Sequence, residues 1–70
     1  MSQLFSKQHF EENFRQHIEM NQDRSKVDAM NGYYRSVVSS LVQDQLTKNY
    51  EIIKRIQNLD EAYKKVKKED

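Results

Sequence analysis

An all-α fold is what this 70-residue sequence predicts, and three features predict it: proline is absent, the only glycine is Gly32, and no stretch alternates apolar and polar residues for long. Glycine and proline are the strongest local punctuation, so a chain almost without them has few places to turn. Glu, Gln, Lys, Arg, Leu and Met are plentiful, and all are good helix formers.

The first helix has a clear start. The Ser6 hydroxyl is placed to cap free N–H groups, and Phe5 before it pairs with Phe10 inside the helix as a hydrophobic staple. Phe10, Phe14, His17 and Ile18 then share one face, with Glu12, Arg15 and Glu19 opposite, which predicts an amphipathic helix over residues 7–21. Asn21-Gln22-Asp23-Arg24-Ser25 reads as the loop, and Ser25 with Asp28 three residues on resembles a capping box. A connection this short makes the next helix antiparallel to the first.

From Val27 onward apolar positions follow at spacings of three or four: Met30, Tyr34, Val37 and Leu41, then Ile52, Ile56, Leu59, Tyr63 and Val66. A second row, Val38, Val42, Leu46 and Ile53, widens the apolar arc in the middle. The stripe crosses Asn31-Gly32 in phase, so Gly32 reads as a tolerated helix glycine. The pattern predicts one long helix over 26–66; a break near 44–49, giving a three-helix chain, is the competing reading. The whole chain 1–70 forms a single domain, with residues 1–5 a lead-in and 67–70 a frayed tail.

Unequal helix lengths imply a partner. A helix over 7–21 spans about 22 Å and one over 26–66 about 60 Å, so the short helix covers the long one only as far as Leu41. Ile52, Ile53, Ile56, Leu59, Tyr63 and Val66 would face water, and an open stripe of that size marks an interaction surface. The expected architecture is a helical hairpin pairing as an antiparallel homodimeric four-helix bundle. Residue numbers summing to about 90 would meet across its two-fold axis, as buried polar residues set register in coiled coils: Gln45 against itself, Val38 against Ile52, Val37 against Ile53, Tyr34 against Ile56, and Val27 against Tyr63. The expected interface is therefore Tyr34, Val37, Val38, Leu41, Gln45, Ile52, Ile53 and Ile56. Tyr33 and Tyr50 lie outside the arc and are candidate anchors for a foreign partner, since aromatics dominate binding hot spots.

The composition excludes several function classes. Twelve basic residues against eleven acidic ones leave a net charge of +1, and neither half of the chain is polarised. That balance disfavours a nucleic-acid binder, which needs a basic face. No apolar run exceeds two residues, which predicts neither a membrane span nor a signal-peptide core and leads to a cytoplasmic expectation. Cysteine is absent, so a small core gets no disulfide support.

No chemistry-bearing constellation emerges. His9 and His17 stand eight residues apart, too far for one helix to bring both to one zinc ion, so neither a metal nor another cofactor is expected. His9 reads as an exposed first-turn residue and His17 as an edge-of-core residue. Glu11-Glu12 and Asp60-Glu61 read as solvated helix charges, and no phosphate loop or catalytic triad is present. Lys64, Lys65, Lys67 and Lys68 complement the negative end of a helix dipole. Their functional alternative is a phosphate contact, which would make the protein nucleic-acid-associated.

The strings QHIEMNQ at 16–22, YYRSVVSSLVQDQLTKN at 33–49 and KRIQNLDEAYKKVK at 54–67 resemble the YvfG family of small Bacillus proteins. The likeness covers nearly the whole chain. It implies an all-helical fold and supplies no catalytic or binding motif to carry over. The resulting expectation is a non-enzymatic homodimer acting through protein–protein contact, as an adaptor or small regulator.

Overall fold

The computed structural model describes residues 5–69, in which the chain forms three helices: α1 Lys7–Met20, α2 Lys26–Gln43 and α3 Asn49–Lys68. Of the expected lead-in, only Phe5 falls within this range. No helix among the described residues is long and apolar enough to cross a membrane.

The predicted start signals operate. Ser6 Oγ accepts from the His9 amide at 3.1 Å, and the Phe5 and Phe10 rings meet with centroids 6.2 Å apart, which is the staple. At α2, Ser25 Oγ accepts from the Asp28 amide at 3.1 Å. The first helix ends where Asn21 donates its side-chain amide to the His17 carbonyl at 2.8 Å and its backbone N–H to the Ile18 carbonyl at 3.2 Å. Gly32 lies inside α2, as the in-phase stripe predicts.

The continuous 26–66 helix is not what forms. The chain leaves the helix at Asp44 and re-enters it at Asn49, so the break near 44–49 is the observed arrangement. The longest dimension of the molecule is 36 Å, against the 60 Å or so that an unbroken helix would span. Asp44 explains how a segment without glycine or proline turns. Its carboxylate accepts from the Leu46 amide at 2.9 Å, the Thr47 amide at 3.0 Å and the Thr47 hydroxyl at 2.6 Å. A short side-chain acceptor bonding the next amides competes with helix for the backbone.

With the chain turned, α3 runs antiparallel to α2 and parallel to α1. Tyr63 donates to Asn31 Oδ1 at 2.7 Å across the first pair, while Asn58 donates to the Phe5 carbonyl and Lys65 pairs with Glu11 across the second. The core takes Phe10 and Phe14 from α1, Met30 from α2, and Leu59, Ala62 and Val66 from α3. Aromatic edges knit the three together: Phe14 meets Tyr33 at 4.9 Å and Tyr63 at 5.7 Å, and Tyr34 meets Tyr63 at 5.6 Å, all near-perpendicular. Offset contacts of this kind add about 0.5–1.5 kcal/mol each beyond their burial. The expected pairing of Val27 with Tyr63 is replaced by these contacts, and Val27 is exposed. Leu59, Tyr63 and Val66, expected to need a second chain, are covered by α1 of the same chain.

Candidate interaction surface

The residues expected to form a dimer interface have been divided by the turn. Leu41 is buried, and Tyr34, Val37, Val38, Ile52 and Ile56 are half-buried. Tyr34, Val37 and Val38 pack on the core. Gln45 lies in the connection and is exposed, as is Ile53. The register that placed two Gln45 side chains on a dyad presupposed an unbroken helix, which is interrupted at that very residue. Tyr33 is also corrected: it is half-buried against Phe14, not an outlying aromatic. Tyr50 remains 64% exposed.

Among the described residues, four of the six exposed large apolar side chains lie at the α2–α3 end, while Met20 and Val27 flank the first connection. Val42 is 70% exposed, Leu46 98% and Ile53 56%, joining Tyr50. All four sit in the last turn of α2, the connection, or the opening of α3. Beneath them the turn is held electrostatically. Hydrogen bonds from the Thr47 hydroxyl, then from the Leu46 and Thr47 amides, hold the Asp44 carboxyl below its ordinary pKa, with Arg55 at 3.8 Å assisting. The same guanidinium lies 4.0 Å from the centroid of the Phe5 ring, so it braces the turn against the start of α1.

The α1–α2 side carries a neutral polar seam. Asn13 Nδ2 lies 2.9 Å from His9 Nε2 and donates to the Tyr33 hydroxyl at 3.0 Å, and the His17 ring sits 5.8 Å from that of Tyr33. His9 is therefore half-buried rather than an exposed first-turn residue. Burial pushes the Tyr33 phenol above its ordinary pKa, against the opposing hydrogen bond from Asn13. A shallow groove of about 380 Å³ opens here, walled by Phe5, Phe10 and Val37 with the Ser36 and Ser40 hydroxyls among its lining. Among the described residues, no group of three or more His, Cys, Asp or Glu side chains could hold a metal ion.

The α1–α3 side is charged, and one residue there was misread from sequence. Glu11 is buried, at 6% exposure, not a solvated helix charge. Its carboxylate meets Lys65 at 3.3 Å and Arg15 at 3.5 Å, and Arg15 continues to Glu69 at 2.7 Å. Hydrogen bonding from Arg15 holds the Glu69 carboxyl below its ordinary pKa, and Lys26 also donates to the Glu69 carbonyl. The helix thus continues past residue 66 to Lys68, and Glu69 is tied to both other helices. The missed signal was geometric: a helix covered by two neighbours buries residues on both sides of its apolar stripe. The lysine cluster is largely occupied as well, with Lys65 on Glu11, Lys64 on Asp60 at 3.3 Å, and Lys67 lying 6.0 Å from the Tyr63 ring centroid.

These surfaces define a small three-helix bundle with one shallow neutral groove, a neutralised charged end and an apolar turn. The chain belongs to the YvfG family: the family described as "YvfG protein" matches residues 3–69. A relative, "Uncharacterized protein YvfG" of Bacillus subtilis (strain 168), is 69% identical over 68 residues, covering 97% of this chain and 94% of the relative.

Proposed function

We propose that the protein is a non-enzymatic interaction module of the cytoplasm that associates with a second copy of itself and serves as an adaptor or small regulator. The observation that carries this reading is the exposed apolar set Val42, Leu46, Tyr50 and Ile53 around the α2–α3 connection, the larger of two such groups, the other being Met20 and Val27 beside the first connection. Water-facing apolar side chains grouped in this way are characteristic of association surfaces. Against catalysis stands the engagement of the groove's titratable side chains by a neutral amide: Asn13 Nδ2 lies 2.9 Å from His9 Nε2 and donates to the Tyr33 hydroxyl, and among the described residues no side-chain bond links His9 to the Ser36 or Ser40 hydroxyl. The nucleic-acid reading has weaker support, because Lys64 and Lys65 are each paired with a carboxylate and a phosphate track needs free cations.

Sedimentation equilibrium over a wide concentration range tests the proposal. The expected result is a reversible monomer–dimer equilibrium that Leu46→Ser together with Ile53→Ser weakens at least tenfold, with helical signal retained. A mass fixed at the 8.5 kDa of one chain at every concentration would falsify it.

A further inference from the structure

Gly32 has no conformational reason to be glycine. It lies inside α2 without a positive φ, and a Cβ there would meet only His17 Nε2 at 3.8 Å, an ordinary contact. Alanine would fit and would favour the helix. What glycine does change is the chemistry of the residue before it. In Asn31-Gly32 the peptide nitrogen after the asparagine has no Cβ beside it, so its approach to the Asn31 side-chain carbonyl is unobstructed. The other four asparagines precede Phe14, Gln22, Tyr50 and Leu59, all bulkier.

The reaction open to this pair needs only water. The Gly32 nitrogen bonds to Asn31 Cγ, its proton passes to the departing side-chain nitrogen, and ammonia leaves a five-membered succinimide. Water then opens one of the two carbon–nitrogen bonds of the ring. Cleavage at Cγ gives aspartate on the original main chain. Cleavage at the main-chain carbonyl of residue 31 gives isoaspartate, whose backbone runs through Cβ and Cγ and is longer by one carbon.

The folded chain withholds each requirement. Helical ψ lies at about −42°, and ring closure through the side chain needs a ψ outside that well. The Gly32 amide belongs to the ladder of α2, in which each N–H bonds to the carbonyl four residues earlier. The Asn31 side chain is held as well, because its Oδ1 accepts from the Tyr63 hydroxyl at 2.7 Å. Tyr63 is itself set by edge contacts with Phe14 and Tyr34, at 5.7 and 5.6 Å between centroids. Isoaspartate at position 31 in turn is incompatible with α2. Its added main-chain carbon breaks the ladder in the turn that carries Tyr33 and Tyr34 to the core.

We propose that Asn31-Gly32 is a self-modification site, kept closed by α2 and the Tyr63 hydroxyl, whose conversion to isoaspartate in opened chains removes them from the folded pool. The fold protects the site, and the product of the site forbids the fold. This inference is independent of the association reading above.

The test follows every asparagine by peptide mass spectrometry, with fragmentation that separates isoaspartate from aspartate, in mildly alkaline buffer with and without denaturing urea. In urea, Asn31 should convert first of the five. In buffer it should convert about a hundredfold more slowly, since the folded chain reacts only through its opened fraction. Tyr63→Phe keeps the ring and removes the donor, so Asn31 should convert about fivefold faster in buffer and at the wild-type rate in urea. Gly32→Ala should slow conversion in urea roughly tenfold. Chains carrying isoaspartate, separated by chromatography and diluted from urea, should fail to recover the helical signal that Asn31→Asp recovers. Equal wild-type rates in buffer and urea, another asparagine converting first, an unchanged rate in either variant under its stated condition, or full refolding of the isoaspartyl chain would each overturn the proposal.

Discussion

The two connections of the bundle have similar lengths and opposite constructions. Residues 21–25 end in Ser25, which caps the next helix directly, and begin at Asn21, whose amide closes the previous one. Residues 44–48 have no such division of labour: Lys48 caps nothing, and one carboxylate, Asp44, gathers the amides of Leu46 and Thr47. Both connections have exposed apolar neighbours, but only the second carries one within it, Leu46, almost wholly in water, whereas Met20 and Val27 flank the first. A turn built from caps at both ends is specified locally. A turn hung on one side chain at its start yields more readily to the helix its sequence also favours.

The largest predicted effect tests what both connections share. Phe14 touches Tyr33 of α2 and Tyr63 of α3, so it joins the three helices that both turns connect, and it is fully buried. Phe14→Ala should cost about 3–5 kcal/mol, enough to unfold most of a small domain, as seen in thermal denaturation followed by circular dichroism. Next come the turns themselves. Ser25→Ala should destabilise the monomer by about 1 kcal/mol, lowering Tm by roughly 4–8 °C for a domain of this size. Dilute Asp44→Ala should show a smaller midpoint loss if the freed residues extend α2; equal losses in the two variants would erase the contrast.

A smaller effect is expected at Gly32. A Cβ there meets only His17 Nε2 at 3.8 Å, ordinary van der Waals contact, and the backbone is helical. Gly32→Ala should therefore stabilise by about 0.5–1 kcal/mol, raising the urea midpoint at constant slope.

The weakest effect is acid sensitivity. Asp44 and Glu69 both have carboxyls held below their ordinary pKa in the folded chain, and both are half-buried at the surface. Groups depressed in this way bind more protons when unfolded, so their contribution is present at neutral pH. It is lost as pH falls from the ordinary carboxylate range through the lower folded values. Asp44→Asn with Glu69→Gln should flatten the acid limb of a stability–pH curve measured by urea titration; a limb identical to wild type would mean other carboxylates govern it.

The first helix, the start of α2, the first turn, both serine caps and the Phe5–Phe10 staple were legible in the sequence because each depends on residues within four or five positions of one another, whereas the single helix expected over 26–66 is two. Glu11 was not legible, since its burial comes from Lys65 and the body of α3, more than fifty residues away. Tyr33 failed for the same reason: a single amphipathic arc assumes one covering neighbour, and in a three-helix bundle each helix has two. Asp44 was readable in principle, as a short acceptor followed by Thr47, but the in-phase apolar rows on either side outweighed it.

By itself, then, the sequence determined that the chain is helical, where α1 and α2 begin, and that the apolar stripe of residues 52–66 must be covered. Only the tertiary structure decided what covers it. A straight helix and a hairpin present the same apolar residues for burial, so periodicity counts them equally. The choice turns on whether Asp44 holding its neighbours, together with α1 receiving α3 from the same chain, outweighs the helical hydrogen bonds given up between residues 44 and 48.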